Sequence, residues 1–189
     1  MFGCSKQLIR FIPDILSILR LVLAFCLIPL ILKDYVFCAL CIFSIAAITD
    51  FLDGYIARKF AVSSEFGAAL DPLADKTLMT ISYILFAIVN FIPIYVTFIV
   101  VSRDVLILSA VAICKAKGIY LKMRPLISSK INTTIQLVFL VFVLACKCAI
   151  LNIPYCIEVG AIVVSASTIF SGAEYVQKYF WITAKLFKW

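Results

Sequence analysis

The sequence predicts an all-α integral membrane protein with six transmembrane helices and both termini in the cytoplasm. Hydrophobic residues make up 65% of the 189 positions, charged residues make up 14%, and the mean hydropathy is +1.16. A soluble domain carries roughly 25% charged residues, so this chain has too little polar surface to be stable in water. Helices are the expected spans because a bilayer offers no partners for unpaired backbone groups. We expect a single membrane domain over residues 1–189.

Six apolar segments approach the spanning length of about 17 to 25 residues. They cover residues 13–32, 36–57, 70–91, 93–114, 131–150 and 156–177. Turn or charge signals separate them, with Lys33-Asp34 after the first segment, Asn90 after the third and Pro154 after the fifth. The N-terminal apolar stretch is too long for a cleavable signal peptide and lacks a small-residue cleavage site. It is therefore expected to form the first span.

The basic residues predict the orientation of the helices. Only Lys33 and Lys147 lie at the ends expected on the outer side. The opposite ends carry Lys6, Arg10, Arg58, Lys59, Lys115, Lys117, Lys122, Arg124, Lys130, Lys178, Lys185 and Lys188. The positive-inside rule then places both termini in the cytoplasm. Attraction to anionic lipid headgroups explains the net charge of +7 without nucleic acid. A short basic chain without a transit peptide favours a bacterial plasma membrane.

The residue types exclude several kinds of site. The chain has no histidine, which rules out histidine-based triads, histidine general bases and histidine-ligated haem. Most of its eight cysteines lie in apolar runs, where a thiol behaves as a small hydrophobic group. Cys146 and Cys148 could ligate a metal, but no histidine or second cysteine pair stands at ligand spacing.

Four aspartates surround the break between the second and third segments. Asp50 and Asp53 are three residues apart, and Asp71 and Asp75 are four apart, so each pair shares one face of a helix. The short connection predicts antiparallel neighbouring helices with both pairs near their cytoplasmic ends. Converging carboxylates are hard oxygen ligands that select Mg²⁺, Mn²⁺ or Ca²⁺. Two such ions would suit a phosphoryl or pyrophosphate substrate. The alternative is a solvated helix edge with Asp71 near a helix start.

The residues from Asp50 to Asp75 resemble the signature of the CDP-alcohol phosphotransferase (phosphatidyltransferase) family, D-x2-D-G-x2-A-R-x8-G-x3-D-x3-D, without departure. The resemblance implies a six-helix membrane bundle that works on CDP-diacylglycerol and forms a homodimer. It implies two divalent ions, Mg²⁺ or Mn²⁺, bound by Asp50, Asp53, Asp71 and Asp75. It implies a CDP pocket lined by Asp53, Gly54, Ala57, Arg58 and Gly67, and it makes Asp75 the general base. Helix packing or a turn would also explain the small residues, taken singly.

Two further stretches bear on the acceptor. Residues 94–105, with Ser102-Arg103-Asp104, and residues 124–133, leading into Gln136, resemble the cardiolipin synthases of the mitochondrial and alphaproteobacterial type. Phosphatidylglycerophosphate synthases usually carry Gly-Arg-Glu at the first place and Lys-x-Lys-Thr at the second. The resemblance therefore implies phosphatidylglycerol as the acceptor, with glycerol 3-phosphate as the alternative.

Arg103 and Lys130 are candidates for binding the acceptor's phosphate. Arg103 lies inside the fourth apolar segment, where a cation is a functional candidate, or else a structural partner of an acidic neighbour such as Asp104. Lys130 stands at the start of the fifth and could also extend to the lipid headgroups. The N-terminal residues Asp14, Ser17 and Arg20 resemble the N-x2-[ST]-x2-R pattern of the glycerol-type members, with aspartate in place of asparagine. A helix start explains Asp14 equally.

Two other classes of membrane protein that use intramembrane carboxylates are alternatives to this interpretation. A prenyltransferase would need its acidic motifs on well-separated helices of a larger bundle, whereas both pairs here fall within 26 residues. A cation transporter more often places them on broken helices at the middle of the bilayer.

Overall fold

The computed structural model consists of α-helices in nearly all of the residues that it describes. It describes residues 3–60, 65–116, 127–148, 150 and 155–186, with side chains at 15–49, 74–110, 127–148, 150 and 155–178. No strand occurs in these ranges. The helices are α1 (Gly3–Leu32), α2 (Val36–Phe60), α3 (Glu65–Ile88), α4 (Ile94–Ala116), α5 (Ile127–Lys147) and α6 (Cys156–Leu186). Over the described ranges, the prediction of an all-α fold with six helices is confirmed.

Three helices extend five or more residues beyond the apolar segments that predicted them. α1 begins at residue 3 rather than 13, α3 begins at 65 rather than 70, and α6 ends at 186 rather than 177. Pro13 and Pro72 lie inside α1 and α3. Helical hydrogen bonding does not stop where the apolar residues stop, and helices in membranes tolerate proline. Hydropathy therefore located the apolar part of each helix and not its ends.

Two of the predicted breaks are built on residues with positive φ. Asp34 follows α1 with φ 62°, and the amide of Tyr35 donates a hydrogen bond to the carbonyl of Leu30 at 2.8 Å. Asn90 follows α3 in the same way with φ 57°. A helix ends where a residue adopts positive φ and the next amide donates back to a carbonyl of the last turn. Asp and Asn adopt positive φ more readily than most residues. The predicted break at Asn152 and Pro154 lies outside the described residues.

The described helices include three segments that are long and apolar enough to cross a membrane, Ile15–Leu32, Ile127–Lys147 and Cys156–Lys178. Val36–Thr49 is a shorter apolar segment of α2. Many large hydrophobic side chains on these helices are exposed, as expected for surfaces that face lipid. These features indicate membrane insertion. The six-span topology and the cytoplasmic termini stay predictions, and so does the single domain.

The chain divides into two compact units, of which the first comprises Met1–Phe91 and Leu140–Asn152. Within it α1 packs against both α2 and α3. The buried face of α1 repeats every three or four residues, as a helix that packs along one side requires. Its members are Ser17, Arg20, Ala24, Leu27 and Ile31. Phe43 of α2 and Tyr83 and Phe86 of α3 are also fully buried.

The second unit comprises Ile92–Phe139 and Ile153–Trp189, and within it α4 packs against α6. α5 contributes its first part, up to Phe139, to this unit and its remainder to the first. Gly160 of α6 lies against the ring of Phe139, and a Cβ added at Gly160 would stand 2.6 Å from Cε2 of that ring. The buried residues of this unit include an unusual number of polar side chains. They are Thr97, Arg103, Asp104, Asn132, Gln136, Ser165, Thr168 and Ser171.

Candidate active site

The signature residues lie on two consecutive helices. Asp50, Asp53, Gly54, Ala57 and Arg58 belong to α2, and Gly67, Asp71 and Asp75 belong to α3. The helical spacing assumed for both aspartate pairs is therefore present. Of these side chains only that of Asp75 is among the described ones, so the convergence of the four carboxylates stays a prediction.

Asp75 forms an ion pair with Arg20. A terminal nitrogen of the Arg20 guanidinium, Nη1, donates a hydrogen bond to Oδ1 of Asp75. The Arg20 side chain is 0% exposed, whereas that of Asp75 is 44% exposed. Buried Arg20 therefore contacts the Asp75 carboxylate from the interior of the protein, and the rest of the carboxylate is exposed.

The packing of α1 explains how Arg20 reaches Asp75. Arg20 lies on the buried face of α1, between Ser17 and Ala24, and this helix packs on α3. The sequence interpretation included Arg20 only as part of an N-terminal pattern and gave it no partner. The available signal was a cation within the apolar stretch Ile15–Leu32, since an intramembrane cation requires a partner. The side chain of Asp14 lies outside the described residues.

The donor set fits hard divalent cations. Carboxylate oxygens at the four predicted positions match the ligand preference of Mg²⁺ and Mn²⁺. Asp75 has the exposure that a ligand to both an ion and a substrate needs. The described side chains include no cluster of three or more potential metal ligands, because three of the four aspartates lie outside them. Cys146 and Cys148 belong to no cluster of three or more potential metal ligands among the described side chains.

Arg103 lies at the centre of a polar cluster in the second unit. Its side chain is buried within α4 and donates to Oδ1 of Asp104 at 2.7 Å. It also donates to the hydroxyl groups of Ser129 in α5, at 2.7 Å, and Ser171 in α6, at 2.9 Å. The ring of Tyr175 lies 5.7 Å from the guanidinium carbon. Arg103 thus joins three helices, and its pairing with Asp104 is the structural alternative that the sequence had left open.

Asn132 and Gln136 extend this polar cluster along α5. Oδ1 of Asn132 accepts hydrogen bonds from the hydroxyl groups of Ser167, at 2.8 Å, and Thr168, at 3.0 Å. Nε2 of Gln136 donates to the hydroxyl of Thr168 at 3.0 Å. The sequence interpretation assigned no role to these residues. Their four-residue spacing inside an apolar segment was the signal that could have identified a shared polar face.

Lys130 is exposed in the first turn of α5. That position suits either contact with lipid headgroups or capture of an acceptor's phosphate, as the sequence suggested. The basic residues at 117, 122 and 124 that precede it lie outside the described residues.

Comparison with known proteins gives the family. The family model for CDP-alcohol phosphatidyltransferases matches residues 10–173. The chain is 37% identical to a cardiolipin synthase (CMP-forming) of Rattus norvegicus over 150 residues, which are 71% of this chain and 50% of the rat protein. It is 31% identical to a probable phosphatidylglycerophosphate synthase of Mycobacterium tuberculosis over 142 residues, 72% of this chain and 63% of that protein.

A third relative is the CDP-diacylglycerol–glycerol-3-phosphate 3-phosphatidyltransferase of Cereibacter sphaeroides. It is 40% identical over 82 residues, 39% of this chain and 35% of that protein. The chain spans half or less of the length of the cardiolipin synthases that it matches. The family model, by contrast, covers most of the chain, including every residue of the aspartate signature. The chain therefore belongs to the CDP-alcohol phosphatidyltransferase family.

Proposed function

We propose that this protein transfers the phosphatidyl group of CDP-diacylglycerol to a glycerol-type hydroxyl and releases CMP. The observation that carries the proposal is the complete aspartate signature on α2 and α3, within a chain that the family model matches over residues 10–173. Phosphatidylglycerol is the proposed acceptor and cardiolipin the product, because two relatives at 36–37% identity are named cardiolipin synthases (CMP-forming).

Glycerol 3-phosphate is the second candidate acceptor. The relative from Cereibacter sphaeroides is named for it, and the relative from Mycobacterium tuberculosis is named a probable phosphatidylglycerophosphate synthase. Both acceptors present a primary hydroxyl group to the same donor. The two candidates therefore share the reaction and differ in the charge and size of what the acceptor site must bind.

Asp75 is the proposed general base. Its carboxylate takes the proton of the acceptor hydroxyl, whose oxygen attacks the phosphorus that bears the lipid. The bond from this phosphorus to the oxygen of the CMP phosphate breaks, and CMP leaves. The ion pair with Arg20 supports this assignment, because a guanidinium on one side of the carboxylate fixes its direction. Precise orientation of a base within reach of its proton is a large part of its effect.

Asp50, Asp53, Asp71 and Asp75 are proposed to hold two divalent ions, Mg²⁺ or Mn²⁺. Family members are generally metal dependent, and an all-carboxylate donor set suits these ions. Bound there, the ions would neutralise the pyrophosphate and make CMP a better leaving group. Asp53, Gly54, Ala57, Arg58 and Gly67 are proposed to line the CDP pocket, with Arg58 on the pyrophosphate. Arg103 and Lys130 are proposed to bind the acceptor's phosphate.

The proposed enzyme is an integral membrane homodimer whose site faces the cytoplasm. One contact within the first unit supports the predicted topology, since Nζ of Lys147, at the end of α5, lies 5.1 Å from the ring of Phe91, just after α3. In the predicted topology α3 and α5 both run from the cytoplasmic side to the outer side, so their C-terminal ends should lie on the same side of the membrane, as this contact requires. The bacterial plasma membrane stays a prediction, since the relatives come from mammals, a yeast and bacteria.

The test is an assay of CMP release from CDP-diacylglycerol by the full chain in mixed micelles, with each acceptor offered separately. We expect release with phosphatidylglycerol in the presence of Mg²⁺ or Mn²⁺, and loss of release in Asp75→Asn, which keeps the shape and removes the base. Asp34→Asn is the matched control, because it makes the same chemical change at an exposed turn where asparagine tolerates positive φ. Wild-type turnover in Asp75→Asn would remove the base assignment. No release with any acceptor would end the enzymatic proposal.

A further inference from the structure

Three buried polar atoms of the second unit have no hydrogen-bond partner among the side chains that the structure describes. They are Nε of Arg103, Oγ of Ser128 and Nδ2 of Asn132. Arg103 is 5% exposed and Asn132 is 1% exposed. Buried polar groups are nearly always hydrogen-bonded, either to the protein or to ordered water. Three such atoms on neighbouring residues therefore indicate a further polar partner.

The hydrogen bonds of Asn132 leave its amide nitrogen as the unused group. Thr168 accepts a hydrogen bond from Gln136, so its own hydroxyl hydrogen is directed to Oδ1 of Asn132. The hydroxyl oxygen of Ser167 lies 2.8 Å from the same Oδ1. The carbonyl side of the amide is thus satisfied from α6. Nδ2 still has hydrogens to donate.

The guanidinium of Arg103 and the amide of Asn132 lie on neighbouring turns of the same two helices. Arg103 contacts Ser129 of α5 and Ser171 of α6, whereas Asn132 of α5 contacts Thr168 of α6. The contact positions are three residues apart on each helix. One helical turn rises about 5.4 Å. A water molecule that accepts hydrogen bonds of about 2.9 Å from two donors joins atoms up to about 5.8 Å apart, which matches this separation.

The types of the three atoms match the hydrogen-bonding capacity of one water molecule. Nε of Arg103 and Nδ2 of Asn132 only donate, and a water oxygen accepts two hydrogen bonds. The hydroxyl of Ser128 accepts, and a water hydrogen can donate to it. Buried water molecules typically make about three hydrogen bonds to protein groups. Arg103 already faces the Asp104 carboxylate at 2.7 Å, so a neutral ligand satisfies these atoms without adding charge.

We propose that one ordered water molecule binds between Arg103, Ser128 and Asn132 and completes the hydrogen bonding of the polar cluster of the second unit. It links α4 to α5 beside the direct bond from Arg103 to Ser129. All three residues belong to the second unit, so the site needs no group of the first unit. The inference goes beyond the proposed function, because it concerns the protein before any substrate binds. A small anion is the competing occupant, since Lys130 lies in the same part of α5.

The experiment detects the water molecule through the side-chain amide of Asn132. The sequence has three asparagines, at positions 90, 132 and 152, so labelling asparagine with ¹⁵N gives three side-chain amide signals. Asn90→Asp and Asn152→Asp each remove one signal and thereby assign the third. Nuclear magnetic resonance of the full chain in lipid nanodiscs then measures magnetisation transfer from water to each amide. The sign of the transfer distinguishes dipolar contact with a bound water from exchange of hydrogens with the solvent.

We expect dipolar contact between water and the amide of Asn132 in the wild type. Exchange of the Asn132 amide hydrogens with the solvent should be slower than that of Asn90 by about tenfold or more, because Asn90 lies at an exposed turn. Ser128→Ala removes the acceptor for the water hydrogen and should weaken the contact by about twofold or more. Ser165→Ala is the matched control, because its hydroxyl donates within its own helix, to the carbonyl of Ala161 at 2.7 Å. It should leave the contact unchanged.

Each contrary outcome overturns the inference. Absence of dipolar contact at Asn132 in the wild type would reject the water molecule, and this result decides even if a variant fails to fold. An Asn132 signal that lacks the contact and shifts when bromide replaces chloride would assign the site to an anion instead. An unchanged contact in folded Ser128→Ala would reject the bridge. The measurement uses no substrate, so its failure leaves the proposed function to be decided by CMP release alone.

Discussion

The ion pair between Arg20 and Asp75 predicts a measurable coupling between α1 and α3. The perturbation is a double-mutant cycle with Arg20→Met, Asp75→Asn and the double variant. Removing one partner of a fully buried pair costs about 3–5 kcal/mol, whereas an exposed pair contributes at most about 1 kcal/mol. Here Arg20 is fully buried and the Asp75 side chain is 44% exposed, so water partly solvates the carboxylate. We expect a coupling energy between these limits, about 2 kcal/mol.

The assay is the free energy of unfolding in detergent micelles, followed by far-ultraviolet circular dichroism during denaturant titration. The cycle reports only the interaction between the two side chains, whatever other contacts either of them makes. Combining Arg20→Met with Asp34→Asn, at a distant turn, is the control and should be additive. If the Arg20 and Asp75 changes add within about 0.5 kcal/mol, the ion pair does not hold α1 to α3, and the orientation argument for Asp75 fails with it.

Three further predictions follow from the second unit and the metal proposal. Arg103→Met should lower the free energy of unfolding by about 3–5 kcal/mol, because it removes one member of a buried ion pair, and Ser171→Ala by only about 1 kcal/mol; equal losses in denaturant titrations would contradict the central role of Arg103. Gly160→Ala should cost about 1–3 kcal/mol through the ring of Phe139, and an unchanged thermal unfolding midpoint would show that the ring moves freely. Chelation with EDTA should stop CMP release, and Mg²⁺ or Mn²⁺ should restore it; release in excess chelator would refute the metal proposal.

Local sequence patterns predicted the helices well, for a simple physical reason. Apolar length, turn residues and charge are properties of neighbouring positions. The bilayer makes them informative, because a spanning helix must be long, apolar and fully hydrogen-bonded along its backbone. The breaks at Asp34 and Asn90 and the location of Arg103 inside a helix were predicted in this way. The ends of α1, α3 and α6 were not, because helical hydrogen bonds continue through polar residues that give no hydropathy signal.

Contacts between helices were harder to predict. The partners Arg20 and Asp75 are separated by 55 positions, and nothing in their local sequence states which faces meet. The pairing of Asn132 with Thr168, 36 positions away, has the same character. Arg103 and Asp104 are adjacent in sequence, so their pairing was an alternative that could be stated beforehand. The sequence thus located the polar residues, whereas helix packing decides their partners.

The burial of Arg20 also has a consequence for the order of events during synthesis. Arg20 is part of the apolar stretch Ile15–Leu32, and a cation placed at the centre of a helix raises the cost of insertion by about 2.5–3.5 kcal/mol. Its contact with Asp75 cannot form until 55 more residues have been made, roughly 3 to 11 seconds at common elongation rates. During that interval other groups, such as water or lipid headgroups at the membrane surface, must solvate the Arg20 guanidinium. We therefore expect α1 to reach its final position only after α3, which carries Asp75, has been synthesised.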